Sequence, residues 1–299
     1  MNENRQGVLG VAGTRRKTVV ITGGTSGIGR HTAIGLAAAG MTVVVTGRSR
    51  ERGEEGVRVL RQASGSDDVH LALGDLSSRA SLEALASELS RRWPRIDVLV
   101  HNAGLLATER AVNEEGLELH FAVNVLAPYR LTRALEDALP RGGRVVLVTG
   151  GLPLWGLDAS DLFAEREFEG LRTYSRSKRA MEAMSLELAR ELEPRGVGVF
   201  VVFPGSAVTA MSAGITPGAL PWFMRPAWPI FTRVMQRDDG GESAARASRS
   251  SVWAASAPEL EGKTALAFDQ RHRPMKLHRS VRAPEGRARV LAAVTGLST

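Results

Sequence analysis

The sequence contains no cysteine, which excludes disulfides, thiolate metal sites and cysteine nucleophiles. Its six histidines, His31, His70, His101, His120, His272 and His278, show no HExxH or comparable ligand spacing, so no metal site is expected. Long hydrophobic runs are absent too. The longest notable charge-free stretch, His31–Gly47, is interrupted by Gly35 and Gly40 and reads as helix, turn and strand, not as a membrane span. The N-terminal MNENRQGVLGVAGTRRK has no sustained apolar segment of the kind a signal peptide needs, so a cytoplasmic location is expected by default. Lysine is scarce: only Lys17, Lys178, Lys263 and Lys276 stand among 39 basic residues. An arginine excess of this kind is what a GC-rich genome produces and carries no functional information.

What is present is an ordinary globular composition. The chain has 299 residues, 43% hydrophobic and 24% charged, enough for a large core and too apolar for a disordered chain. The net charge of +7 belongs to the ends. Residues 270–299 carry seven Arg/Lys and one Glu, and residues 1–17 carry four and one, which leaves 7 − 6 − 3 = −2 for the body. A basic tail is able to bind nucleic acid or an anionic membrane. This one has no Phe, Tyr or Trp for base stacking, so it reads as a solvated or docked extension, and no nucleic-acid partner is expected.

Short β-branched runs alternate with amphipathic segments. The runs are Thr18–Thr22, Met41–Thr46, Val69–Leu73, Ile96–His101, Arg144–Thr149, Val197–Phe203 and Thr264–Phe268. They are apolar on both faces, as buried parallel strands are. Helical patterns occupy Ser81–Arg92, Glu114–Leu139, Tyr174–Glu193 and Glu242–Ala255. The alternation implies βαβ crossovers and an α/β fold, a single doubly wound parallel sheet. The expected organisation is a basic extension over 1–17, one domain over 18–269 and a basic tail over 270–299. Residues 150–173 and 205–241 interrupt the rhythm after strands. In this architecture ligands lie beyond the carboxyl ends of strands, so both stretches are candidate substrate walls.

The first run leads directly into Thr22-Gly23-Gly24-Thr25-Ser26-Gly27-Ile28-Gly29, and a helix follows. Gly23 permits the tight turn, Gly27 lets backbone N–H groups approach a phosphate, and Gly29 lets the helix pack on the strand. The helix N-terminus adds partial positive charge for a pyrophosphate. After the second run stands Thr46-Gly47-Arg48, with no Asp or Glu for a ribose hydroxyl. A guanidinium there is able to fork onto a 2′-phosphate, so NADP(H) is expected over NAD(H), with Arg30 in support. The bland alternative is that Arg48 is a solvated loop residue.

The sharpest motif is Tyr174-Ser175-Arg176-Ser177-Lys178. Tyr and Lys at i and i+4 share one helix face. A neighbouring ammonium favours phenolate and draws the phenol toward the range of a general acid/base.

With these residues quoted, the chain resembles the short-chain dehydrogenase/reductase family over about 18–269. The matching motifs are the glycine-rich string, Asp75-Leu76, Asn102-Ala103-Gly104, Asn124, the Tyr174–Lys178 pentad, and Pro204-Gly205 followed by Thr209. The Thr-Gly-Arg after strand two and the long gap before Tyr174 are similar to the retinol-dehydrogenase-like branch. The resemblance implies a Rossmann domain of strand order 3-2-1-4-5-6-7. It places Asp75 at the adenine, Asn102 and its neighbours beside the cofactor, and Lys178 on the nicotinamide ribose. Pro204, Gly205 and Thr209 would lie near the carboxamide. It implies Tyr174, Lys178 and Asn124 as the catalytic set. Pro128, lacking an N–H, leaves the Asn124 carbonyl free to hold a water in the proton relay. Homodimers or homotetramers form in the family through the helices that correspond here to 114–139 and 174–193.

In one place the pattern breaks. The family's Ser at the end of strand five corresponds to Gly150, or to Gly151 with the register slipped by one, and neither has a hydroxyl. Thr149 would need a backbone shift to replace it. Losing one preorganised donor costs on the order of 10²–10³ in rate. The expected function is NADP(H)-dependent interconversion of a hydrophobic ketone or aldehyde with its alcohol, in secondary metabolism. The alternatives are non-redox chemistry on the same fold (dehydration, cyclisation or isomerisation) and cofactor-gated binding. The lid expected over about 205–241 contains Trp222, Phe223 and other apolar side chains, and Trp155 follows the Gly pair. These line a substrate pocket or bury the lid on the core. The partner expected is a small hydrophobic molecule.

Overall fold

Seven short strands lie side by side in one sheet: β1 (Thr18–Ile21), β2 (Thr42–Gly47), β3 (Val69–Leu73), β4 (Val98–His101), β5 (Arg144–Val148), β6 (Gly198–Val202) and β7 (Leu266–Phe268). The computed structural model describes residues 15–209, 211, 215–220, 222–235 and 239–298, with the backbone alone at 222, 227, 230, 231, 234 and 235. The expected extension over 1–17 thus lies mostly outside the described residues. The strand order is β3-β2-β1-β4-β5-β6-β7, and each adjacent pair is parallel. Val19 stands opposite Val43 on one side and Val98 on the other.

Alternate residues feed two cores. Val20, Val44, Leu99 and Val145 face one. Val19, Ile21, Val43 and Val100 face the other. Valine fits a strand buried on both faces because its branched β-carbon suits the pleat and leaves no polar atom to satisfy. The second core is closed by α1 (Gly27–Ala38), α2 (Arg50–Ser64) and, further along the chain, a helix at Glu242–Ser256. The first is closed by α3 (Arg79–Arg92), α4 (119–134) and α5 (Gly170–Leu192).

The helix expected over Glu114–Leu139 is shorter at both ends. The Asn113 side chain accepts from the amides of Glu115 and Leu117, Gly116 takes φ +74, and Val112 bridges Glu118. The segment before Leu119 is therefore a turn. Within α4, Ala122–Leu126 form a π-helical turn. This turn, not a simple proline kink, absorbs Pro128. The other helix over Tyr174–Glu193 begins earlier, at Gly170.

After α5 the chain forms α6 (Trp228–Met235), α7 (Glu242–Ser256), α8 (Arg279–Arg282) and α9 (Pro284–Gly296). The basic tail is docked, and no boundary falls at Asp269. Val281, Val290 and Val294 are fully buried in the first core. Pro274 bridges Phe268 of β7, Arg287 pairs with Glu187 of α5, and Arg130 of α4 donates to the Leu297 carbonyl. The valines face inward and the arginines line the rim, so charge composition alone concealed the packing. The outer face of α5 is partly occupied by the chain itself.

Candidate active site

Beyond the carboxyl ends of the strands lies a cavity of about 1580 Å³. Its floor is the turn between β1 and α1. Gly23 and Gly27 have φ +65 and +50, the left-handed region that favours glycine. At Gly29 a β-carbon would stand 2.4 Å from both the Asn102 amide nitrogen and the Gly23 carbonyl, so no side chain fits. Ser26 caps α1 without a side-chain hydrogen bond. The turn is fastened to the end of β4: the amides of Asn102 and Ala103 both donate to Thr22 Oγ1 at 3.1 Å. Asn102 Nδ2 donates to the carbonyls of Thr22 and Gly23 at 3.1 and 3.2 Å.

Gly23, Thr25, Ser26, Gly27 and Ile28 line the cavity, while Thr22 and Gly29 lie behind its wall. Ala103 and Gly104 line it, as do Asp75 and Leu76. Asp75 Oδ1 accepts from the amide and hydroxyl of Ser77, which fixes the carboxylate at the rim. Arg48 is exposed on the wall and makes no hydrogen bond or ion pair among the described residues. Arg30 differs, because its Nε is held by the Thr25 carbonyl at 3.0 Å. Pro204, Gly205 and Thr209 close the far side. A β-carbon at Gly27 would touch Thr209 at 3.2 Å, and one at Gly205 would collide with Gln270.

Tyr174 and Lys178 enter from α5. Lys178 Nζ lies 5.9 Å from the Tyr174 ring centroid and donates to the Val148 carbonyl at 3.0 Å. Burial draws the ammonium down to about 8, opposed by the Glu182 carboxylate. Burial also pushes the Tyr174 phenol up to about 12. The expected lowering by Lys178 is overturned, because desolvation of the phenolate dominates at this separation.

Asn124 is fully buried behind the wall. Its Oδ1 accepts from the Leu105 amide at 2.7 Å, and its Nδ2 donates to the Leu105 carbonyl and to Ser177 Oγ. Gly104 lies between the two groups: a β-carbon there would stand 3.4 Å from Lys178 Nζ and 3.5 Å from Asn124 Oδ1. Nearby, His120 is buried with Nδ1 2.6 Å from Glu118 Oε1, and its Nε2 accepts from the Ala107 amide.

Thr149, Gly150 and Gly151 all line the cavity. A β-carbon on Gly150 would stand 2.8 Å from Tyr174 Oη, and Gly151 has φ +83 with Ser175 behind it. The Thr149 hydroxyl donates to Glu182 Oε1 at 2.6 Å, and Arg179 holds both oxygens of that carboxylate at 2.7 and 2.9 Å. Arg179 and Glu182 lie one helical turn apart on the buried side of α5, and that i, i+3 charge pair was the available signal for a network the sequence reading missed.

The candidate wall segments 150–173 and 205–241 both reach the cavity, through residues that include Leu152, Leu171, Met211 and Ile215, but not through two of the aromatics named for it. Trp155 does not line the cavity, and its carbonyl accepts from Arg179 Nε. Phe223 is exposed and also lies away from the cavity, while the Trp222 side chain falls outside what is described. The apolar surface comes from Leu105, Leu119, Leu152, Leu171, Met211 and Ile215. Only the last two belong to the expected lid. Leu105 and Leu152 follow β4 and β5 immediately, so strand-end position, not aromatic content, identifies the wall.

A family model described as short chain dehydrogenase matches residues 17–219. Retinol dehydrogenase 14 from Homo sapiens is 34% identical over 270 residues, covering 84% of this chain and 77% of its own length. Polyprenol dehydrogenase from Mus musculus is 35% identical over 262 residues, 82% and 73% of the two chains. Dehydrogenase/reductase SDR family member 13 from Bos taurus is 38% identical over 230 residues; the match takes in 74% of this chain and 60% of that protein's length. Among solved structures, the angucycline C-6 ketoreductase LanV with bound NADP superposes with a TM-score of 0.63 at 25% identity, covering 85% of this chain and 93% of its own. The chain belongs to the short-chain dehydrogenase/reductase family, in its retinol-dehydrogenase-like branch.

Proposed function

We propose that the protein uses NADP(H) to interconvert a hydrophobic ketone or aldehyde with its alcohol, with Tyr174 as proton donor and acceptor. The observation that carries this reading is the Tyr174 hydroxyl itself. It opens on the cavity with no hydrogen-bond partner among the described residues, and Lys178 lies on the same helix face.

The residues present fit a dinucleotide. The left-handed glycines and the sealed Gly29 leave a cradle that a side chain would fill, at the start of a helix whose first amides are free to bind phosphate. Arg48 makes no hydrogen bond or ion pair among the described residues and suits a 2′-phosphate. When bound, the reduced nicotinamide supplies a hydride to the substrate carbon. Tyr174 gives its proton to the carbonyl oxygen as that charge develops. With burial pushing the phenol up to about 12, it stays protonated through neutral pH and is available as a proton donor. Lys178, anchored on Val148, orients the ribose. Asn124, bonded through its side chain to Leu105 and Ser177, braces the wall behind Lys178. The Leu and Met wall favours an apolar substrate, and a role in secondary metabolism fits the angucycline ketoreductase among the solved relatives.

A second reading, non-redox chemistry with the cofactor retained, draws on the absence of a free side-chain hydroxyl at Gly150 and Gly151. Following NADPH absorbance and product mass together separates the two. Redox chemistry consumes NADPH with a two-hydrogen gain in product mass, and Tyr174→Phe abolishes it. Product formed at constant NADPH absorbance would favour the second reading.

A further inference from the structure

We infer that the substrate is a hydroxy-ketone whose own hydroxyl, hydrogen-bonded to the carbonyl, supplies the second donor that the described Ser and Thr hydroxyls beside Tyr174 do not. This rests on the oxidoreductase reading above and narrows its substrate class. A carbonyl oxygen taking up hydride gains charge on two lone-pair directions, and each needs a donor in a water-poor site. Tyr174 Oη serves one.

Among the described residues, the hydroxyls of Thr149, Ser175 and Ser177 beside it are all committed. Thr149 donates to Glu182 at 2.6 Å, and Arg179 locks that acceptor in place. Ser175 Oγ donates to the Leu171 carbonyl at 2.8 Å and receives the Leu152 amide. Ser177 Oγ donates to the Tyr174 carbonyl at 2.7 Å and receives Asn124 Nδ2. Both hydrogens of the Asn124 amide are used, on Leu105 and Ser177. Leu105, Leu152, Leu171, Met211 and Ile215, which also line the cavity, have no donor in their side chains, and the Lys178 ammonium is assigned to the cofactor ribose. A side chain restored at Gly150 would also require a shift, because its β-carbon would stand 2.8 Å from Tyr174 Oη.

A hydroxyl on the carbon β to the carbonyl closes a six-membered hydrogen-bonded ring. It covers one lone pair and leaves the other to Tyr174. The bond strengthens as negative charge builds, so it acts on the transition state more than on the ground state. The balance is simple. The carbonyl carbon receives hydride from a reduced nicotinamide, the oxygen receives the Tyr174 proton, C=O becomes CH–OH, and the substrate's hydroxyl keeps its own proton.

Three bicyclic aryl ketones of one skeleton test this with the intact protein and NADPH: a tetralone with a peri-hydroxyl, its peri-methoxy analogue, and the isomer with the hydroxyl on the far side of the ring. Rates of borohydride reduction of the same three correct for intrinsic reactivity. After correction, the peri-hydroxy ketone should exceed the other two by about 10²-fold or more in kcat. Affinities by titration calorimetry should differ by less than about threefold, because the ground state gains little. Corrected rates that agree within about threefold would overturn the inference alone, with the second donor then coming from the backbone amides of the Gly150–Gly151 turn. Failure to reduce any of the three by a protein that binds NADPH would remove the oxidoreductase reading, and this inference with it.

Discussion

Tyr174 and Gly150 are matched: a β-carbon on Gly150 would stand 2.8 Å from the Tyr174 phenolic oxygen, closer than any real β-carbon approaches. The glycine makes space for the tyrosine. Gly150→Ala should therefore displace the phenol by several tenths of an ångström, and the rate falls steeply with such misplacement of a reacting group. Turnover should fall by about tenfold or more while the thermal midpoint moves little. Gly150→Ser should do the same, and full activity in either variant would show that Tyr174 tolerates the shift.

The role proposed for Arg48 in cofactor choice is separable from folding, because Arg48 makes no hydrogen bond or ion pair among the described residues. Arg48→Asp should weaken NADPH binding by about 10–100-fold, the loss of a charge-assisted bond of about 1.5–3 kcal/mol, and leave NADH binding nearly unchanged. Fluorescence titration with each cofactor measures this. Equal affinities in the unmodified protein would remove the role assigned to Arg48.

The buried pair on α5 gives stability a characteristic pH profile. Lys178 holds its proton up to about 8 when folded and up to 10.5 when unfolded. Between those values the unfolded chain binds more protons, so this group's contribution to stability rises with pH. Tyr174 acts in the opposite sense: the folded chain keeps the phenol proton to about 12, against 10.0 unfolded, so its contribution falls above 10.0. Urea midpoints should show the unmodified protein gaining on Lys178→Met as pH rises from 8 toward 10.5. A gap independent of pH would contradict the burial of the ammonium.

Removal of residues after Asp269 strips Val281, Val290 and Val294 from the core and exposes the outer face of α5. Each fully buried side chain of this size contributes about 1.5–3 kcal/mol. The shortened chain should lose cooperative unfolding, or melt far below the full chain, as read by circular dichroism. An unchanged midpoint would mean that the docked segment contributes little.

Most of the sheet was legible because its strands are β-branched runs without polar relief, and such runs have few alternatives to a doubly buried parallel strand. The Gly-rich turn and the Tyr174–Lys178 pentad were legible because their spacing is local. What escaped depends on contacts between distant residues. Thr149 meets Glu182 only after β5 and α5 are adjacent, and Asn113 terminates a helical pattern through its own side chain. Of the two readings of the C-terminal segment, solvated or docked, the structure shows the docked one, with Val290 and Val294 four apart on one face of α9. Of the aromatic residues named for the pocket, Trp155 and Phe223 do not line the cavity, and the Trp222 side chain lies outside the described residues.

The fastening of Thr22 and Gly23 by Asn102 has a kinetic meaning. The two partners are 80 and 79 residues apart in sequence, and the bonds between them run across the β1–β4 pair. Forming the dinucleotide cradle thus requires one of the longer loop closures in the chain, which is slow compared with local helix formation. Refolding protein should acquire helical circular dichroism well before it quenches or enhances cofactor fluorescence. In native-state hydrogen exchange, the amides of Gly23–Gly29 should open together with β4, not independently with α1.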